Sequence, residues 1–314
     1  MRLTNTESLE LEEFVGDQIP PYAILSHTWG PEEVSFQEWN KPERPNGKAG
    51  YRKIMGACLE ARNQHLDYLW CDTNCIDKSS SAELSEAINS MFPWYRDSAI
   101  CFAILEDVSA QDEDISTSMK NSRWFTRGWT LQELLAPKKL QVYDQNWELL
   151  GSREQLKYLI SRITGIPKEY LLGNSLSTAN IAQKTSWLAK RQTTRIEDMA
   201  YCMFGIFDVN LPLLYGEGPK AFLRLQEELI RVSNDHTIFC WQWLYNAVPA
   251  DWNSMLAPTP AVFADSGDFS SYDDTDPTIS AYAITNAGLA IKLGSIQASS
   301  FEFALLSSHM GPAA

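Results

Sequence analysis

The chain has 314 residues, 44% of them hydrophobic and 21% charged, enough apolar material for one large domain or two ordinary ones, and not the composition of a disordered chain. A net charge of −14, with no stripe of Lys and Arg to offset it locally, speaks against nucleic acid and anionic membranes as partners. The opening residues MRLTNTESLELEEF are polar and acidic, and no apolar stretch is long enough to span a bilayer. A cytoplasmic protein with reduced cysteines is the expectation.

In chain order, Tyr22–Ser26 reads as a strand, entered through Pro20-Pro21 and left through His27-Thr28-Trp29-Gly30. Beyond a Pro- and Gly-containing loop, Tyr51, Ile54, Cys58 and Ala61 recur at helical spacing and predict an amphipathic helix over 50–65. Asp67–Cys71 predicts a short strand, apolar enough for burial on both faces. Ser80 and Glu83 have capping-box spacing ahead of a stripe of Leu84, Ile88, Met91 and Tyr95. Ala99–Leu105 is a third strand, followed by an acidic loop. Residues 123–135 carry a short helix closed by Pro137, Leu140–Tyr143 is a fourth strand, and a helix covers 152–163. Apolar strands alternating with helices predict an α/β fold, a doubly wound parallel sheet of flavodoxin-like order. Its working site belongs at the carboxyl ends of the strands, where Ser26–Gly30, Asp72–Asp77 and the segment leading to Glu133 converge in one crevice.

The second half has a different texture. Helices are predicted over 180–190 and 194–207, the latter opened by Thr194 and Glu197 at capping-box spacing. Gly216-Glu217-Gly218-Pro219 leads a longer helix with Phe222, Leu225, Leu229 and Val232 on one face. Thr237–Trp241 reads as a strand, and residues 279–284, 289–293 and 301–306 as a small antiparallel set. The expected division is 1–175, with a core of about 22–150, and 176–314, whose strands want further partners, as in a piece of a longer protein.

Glu133 is the foremost candidate for chemistry. It sits on a short helix among Trp and Leu, with Arg127 six residues upstream, so its carboxylate is partly desolvated within reach of a guanidinium. The competing reading makes it a surface residue, or an ion-pair partner of Arg123 or Arg127. Asp72 and Asp77 follow the second strand, where acidic residues bind ribose hydroxyls or a metal but also cap loops. Cys71 and Cys75 lack the spacing of a redox or zinc pair, so no metal is expected. His27 with Cys75 is a conceivable base and nucleophile that nothing else supports. Trp29 follows a strand in a polar loop, where its face could stack on a ring. Gly216-x-Gly218 is a weak phosphate signal.

Four blocks then carry a resemblance: Tyr22-Ala-Ile-Leu-Ser-His-Thr-Trp-Gly30, Tyr68-Leu-Trp-Cys-Asp-Thr-Asn-Cys-Ile-Asp-Lys78, Ser85–Tyr95 and Arg127-Gly-Trp-Thr-Leu-Gln-Glu-Leu134. In this order they resemble the HET (heterokaryon incompatibility) domain proteins of filamentous fungi. The likeness continues through Arg195–Cys202 and Leu214–Lys220. It implies a part in self/non-self recognition and regulated cell death, with self-association or another incompatibility protein as the partner. A more distant resemblance is to Toll/interleukin-1 receptor (TIR) domains, whose NAD-cleaving members carry a catalytic Glu in a Trp-x-x-x-Glu-Leu helix. Trp129-Thr-Leu-Gln-Glu133-Leu134 is similar to that pattern.

That likeness implies NAD as substrate, no required cofactor, and Glu133 beside the scissile nicotinamide–ribose bond. Ser26, Trp29, Asp72 and Arg127 are the expected binding residues, by position only. Fold similarity does not convey function. The rival reading is a death-signalling adaptor without enzymatic activity that acts by self-association. A plain metabolic enzyme comes third, since no complete dinucleotide fingerprint or metal motif speaks for it.

Overall fold

The computed structural model describes residues 1–271, 282–286, 288–298, 301–306 and 308–310. It divides into two compact units, Met1–Asn174 and Ser175–Ala314. In the first, the elements run β1 (Arg2–Asn5), β2 (Leu11–Glu13), β3 (Ala23–Ser26), α1 (Phe36–Trp39), α2 (Ala49–Asn63), β4 (Tyr68–Trp70), α3 (Ser81–Asp97) and β5 (Ile100–Ile104). They continue as α4 (Ile115–Asn121), α5 (Thr130–Leu135), β6 (Leu140–Tyr143), β7 (Leu149–Ser152), α6 (Arg153–Thr164) and α7 (Lys168–Leu171).

The sheet has seven strands in the order β2-β1-β4-β3-β5-β6-β7. Its four central strands are parallel, with Ala23 opposite Leu69 and Ile100, and Cys101 opposite Leu140. The chain winds outward from β3 to β4, then reverses past β3 to β5 and β6. This is the expected flavodoxin-like order, with its switch point between β3 and β5. The sheet is not wholly parallel, however. β1 pairs antiparallel with β4, β2 with β1, and β7 with β6. These edge strands lack a sequence signal because they are only 3–4 residues long and mix polar with apolar residues without a regular alternation.

The helices cover both faces because each sends a stripe inward. Ile54, Ala57, Cys58 and Ala61 of α2 are buried with Ala23, Leu25, Leu69 and Phe102 on one face. Each large side chain so buried contributes roughly 1.5–3 kcal/mol. On the other face Trp70 meets the ring of Tyr95 from α3, whose hydroxyl donates to the Leu25 carbonyl at 3.0 Å. Ser80 accepts from the Glu83 amide at 3.3 Å as the spacing predicts, but the Glu83 carboxylate accepts from the Asp77 amide and pairs with Arg2 instead of closing a capping box.

The second unit contains α8 (Ile181–Ser186), α9 (Asp198–Tyr201), α10 (Phe204–Phe207), α11 (Lys220–Val232) and strands β8 (Phe269–Ser271), β9 (Ala283–Thr285), β10 (Gly288–Ala290), β11 (Gly294–Ala298), β12 (Phe301–Leu305) and β13 (Ser308–Met310). These strands form three antiparallel pairs, β9–β10, β11–β12 and β8–β13, which bears out the small antiparallel region. Residues 279–281 of the expected strands lie outside the described residues.

Three expectations fail here. The helix over 194–207 is two separate turns, and the Glu197 carboxylate reaches along the chain to accept from the Gly216 and Gly218 amides at 2.9 and 3.1 Å. This also gives the Gly216-x-Gly218 turn a carboxylate where a phosphate would sit. Thr237–Trp241 is not a strand but part of a 3-10 turn over His236–Phe239, capped by Asp235. Val232 is exposed, leaving Phe222, Leu225 and Leu229 as the buried stripe of α11.

Candidate functional site

β3 ends at the switch point, and its pleat sends consecutive side chains to opposite faces. Ser26 goes toward α5 and His27 toward α2. The single crevice expected from sequence is thereby resolved into two hydrogen-bonded groups.

On the α5 face, Ser26 is completely buried and its Oγ donates to Glu133 Oε2 at 2.5 Å. The same Oγ accepts from Trp124 Nε1 at 2.8 Å. Glu133 is 7% exposed, so the surface-residue reading is wrong. All six residues of α5 are buried. Thr130 Oγ1 holds the start of the helix by donating to the carbonyls of Trp124 and Arg127. Burial pushes the Tyr95 hydroxyl and the Cys101 thiol well above their ordinary values, and the Glu133 carboxylate adds to both shifts.

Arg127 is half-buried in the turn between the 3-10 segment Arg123–Thr126 and α5. Arg123 instead meets Asp107, 3.7 Å away.

Gln132 escaped sequence reasoning. It is 1% exposed, and neither its Oε1 nor its Nε2 has a hydrogen-bond partner among the described residues. An orphaned buried polar group costs about 1–3 kcal/mol. The one available signal was an amide in the middle of an apolar helix.

On the α2 face, charged side chains pair with one another. Lys53 is 5% exposed, yet its Nζ lies 2.9 Å from His27 Nδ1, donates to the Thr28 carbonyl at 3.1 Å, and pairs with Glu33 and Glu106. Gly50 makes this possible, because a Cβ there would lie 2.8 Å from the Glu33 Cα. The start of α2 thus rests on the turn that carries Glu33. An ammonium has only donors, so His27 Nδ1 accepts from it, and Nε2–H donates to Asp72 Oδ1 at 3.1 Å.

Asp72 also accepts from Trp29 Nε1 and Lys78 Nζ, at 3.1 and 3.2 Å. Burial alone would raise its pKa, but Lys78 and His27 prevail and hold it well below the usual carboxylate range. Trp29 is 50% exposed, with Lys78 Nζ 3.5 Å from its ring centroid. Two of the expected binding residues, Trp29 and Asp72, are thus in contact, while Ser26 and Glu133 belong to the other group.

The ligating atoms of His27, Cys71 and Asp72 lie within 4.8 Å of one another, a cluster that cysteine spacing did not reveal. Its chemistry does not suit a divalent ion. Nε2 carries the proton that Asp72 accepts, and burial, with Asp72 beside it, pushes the Cys71 thiol far up, away from the thiolate a metal needs. The imagined His27–Cys75 dyad does not form. His27 Nε2 lies 3.7 Å from Cys71, whereas Cys75 meets Thr4 and is pushed up to about 11 by burial. Asp77 is a loop cap, accepting from the Ser79 amide at 2.9 Å and from Gln37 Nε2 at 2.6 Å.

Fold and site together define an α/β domain with polar side chains gathered at the ends of its central strands. Residues 22–118 match the family model described as "Heterokaryon incompatibility protein (HET)". The chain is 50% identical over 221 residues to the vegetative incompatibility protein HET-E-1 of Podospora anserina, an alignment that takes in 68% of this chain and 16% of that protein. The chain belongs to the heterokaryon incompatibility (HET) family. Glu133 falls outside the stretch matched by the family model. No solved structure matches. Among the described residues, no helix is long and apolar enough to cross a membrane.

Proposed function

We propose that this chain is part of a heterokaryon-incompatibility effector that cleaves NAD at the nicotinamide–ribose bond through Glu133. The observation that supports this reading is the carboxylate of Glu133, mostly desolvated and oriented by Ser26 at the sheet's switch point. Cleavage breaks the C1′–N bond, and the bond pair leaves with neutral nicotinamide. An oxocarbenium-like ribosyl cation remains, which water captures with release of a proton. A fixed carboxylate beside that cation stabilises it without itself needing to move a proton to the leaving group. Ser26, held by Trp124, would keep the carboxylate in place. Trp29, Asp72 and Arg127 would take the rest of the dinucleotide.

Ser26 and Glu133 are both covered, so substrate would reach them only after a rearrangement that exposes them. A site that is closed in the isolated chain fits activation by self-association or by another incompatibility protein. The same burial favours a second reading. In an adaptor without enzymatic activity, the Ser26–Glu133–Trp124 group would simply fasten α5 to the sheet.

The deciding measurement is NAD consumption by the purified chain, alone and artificially clustered, for wild type and Glu133→Gln. Nicotinamide release by clustered wild type, reduced at least about 100-fold in Glu133→Gln, is the expected result. Toxicity in cells without NAD loss would replace the enzyme with the adaptor.

A further inference from the structure

A buried amide elsewhere in this chain shows what satisfaction of both ends looks like. Gln226, 2% exposed, donates from Nε2 to the carbonyls of Phe222 and Ala257 and accepts the Ala257 amide on Oε1. Gln132 is at least as deeply buried and has neither kind of partner among the described residues. Groups of this sort are nearly always paired in folded proteins, and an exception asks for an explanation. The exception here precedes Glu133 directly, on a helix with no exposed residue.

We propose that the Gln132 carboxamide is the recognition group for the ligand of the Glu133 site, and that it pairs with the carboxamide of nicotinamide. The proposal rests on the reading of Glu133 as the NAD-cleaving residue. A glutamine amide presents an acceptor and a donor in one plane. Its natural complement is an edge that returns a donor and an acceptor. NAD carries two such edges, the nicotinamide carboxamide and the amino edge of adenine.

Position selects the first. Consecutive Cα atoms are about 3.8 Å apart. Neighbouring side chains diverge on a helix, so Gln132 would meet a different part of the ligand from the ribose at Glu133. The group attached at that ribose is nicotinamide, whereas adenine lies beyond the pyrophosphate. Nicotinic acid offers acceptors and no donor at this edge, so it leaves the Gln132 oxygen unanswered and should be rejected. Such a role would also explain why the chain retains an amide that destabilises it when alone.

The test is binding of nicotinamide, nicotinic acid and AMP, by titration calorimetry, to the isolated and the clustered chain in wild type, Gln132→Met and Gln132→Glu forms. Wild type should prefer nicotinamide to nicotinic acid by roughly 10-fold or more. Gln132→Met, similar in shape and without an orphaned amide, should melt at the same or a higher temperature and lose the preference. If that variant fails to fold, Gln132→Glu decides, since it keeps acceptors and loses the donor and should likewise lose it.

No binding of nicotinamide by wild type, or an unchanged preference in the folded variants, overturns the proposal. So does AMP binding that depends on Gln132 while nicotinamide does not bind, which would hand the amide to adenine. Gln132-dependent nicotinamide binding without NAD cleavage upholds the recognition role while the Glu133 reading fails.

Discussion

Ser26 and His27 are neighbours in sequence, yet they join opposite kinds of environment. Ser26 enters a group in which its hydroxyl donates to one carboxylate and accepts from an indole N–H, beside a glutamine with both ends unmet among the described residues. His27 enters a lattice in which two lysines, three carboxylates and a tryptophan answer one another. The contrast separates two uses of burial. Mutual neutralisation makes a charged cluster structural, since its cations and carboxylates are already paired with one another. Unmet hydrogen-bonding capacity beside an oriented carboxylate is what a ligand site requires. The charged face is richer in reactive side chains, but the quieter face has the capacity to spare.

This contrast can be broken most forcefully at Lys53. Lys53→Met leaves Glu33 and Glu106 without their buried cation and should cost about 3–5 kcal/mol in a urea titration. A loss under 1 kcal/mol would mean that the lattice is not structural. Ser26→Ala comes next. It strips a partner from both Trp124 Nε1 and Glu133, and a cost of about 1–3 kcal/mol is expected by the same titration. NAD cleavage by the clustered chain should fall with it if Ser26 orients the carboxylate, and stay unchanged if it only fastens α5.

Acid sharpens the comparison further. Asp72 has a folded pKa depressed by Lys78 and His27 against the opposing effect of burial. Its contribution is therefore present above the ordinary aspartate value of about 3.9 and disappears as pH falls through the lower folded one. Lys78→Met should raise the midpoint of acid unfolding and change stability at pH 7 by only about 0.2–1 kcal/mol, because the pair is partly exposed. The smallest effect belongs to Trp29→Ala. With half its surface in water, its loss should alter stability by roughly 0.5 kcal/mol or less, seen as a nearly unchanged thermal midpoint.

Much of the first unit was legible in the sequence. The four central strands fall within a residue or two of the apolar runs, because a parallel strand covered on both faces has to be apolar throughout. The Ile54–Ala61 stripe was readable for the same reason, through the 3.6-residue period of a buried helix face. The edges were not. β1, β2 and β7 are short and half-polar, and strands of that kind are recognised only by the neighbour they pair with. In the second unit, Thr194 and Glu197 satisfied a local rule, but Glu197 had better partners in the amides of Gly216 and Gly218. A competing contact far along the chain is invisible to a local pattern.

The site divides in the same way. Glu133 and its Trp-x-x-x-Glu-Leu setting stood out in sequence, as did Ser26, Trp29 and Asp72 at strand ends. Sequence determined the apolar strands, the helix that carries Glu133 and membership of the HET family. Only the tertiary structure decided that Ser26 meets Glu133 while His27 joins Lys53 and Asp72, because the pleat of β3 sends adjacent side chains to opposite faces. The tertiary structure likewise decided that Gln132 is buried with no hydrogen-bond partner among the described residues. Burial and hydrogen-bond satisfaction are properties of what surrounds a residue, and its neighbours in sequence do not fix them.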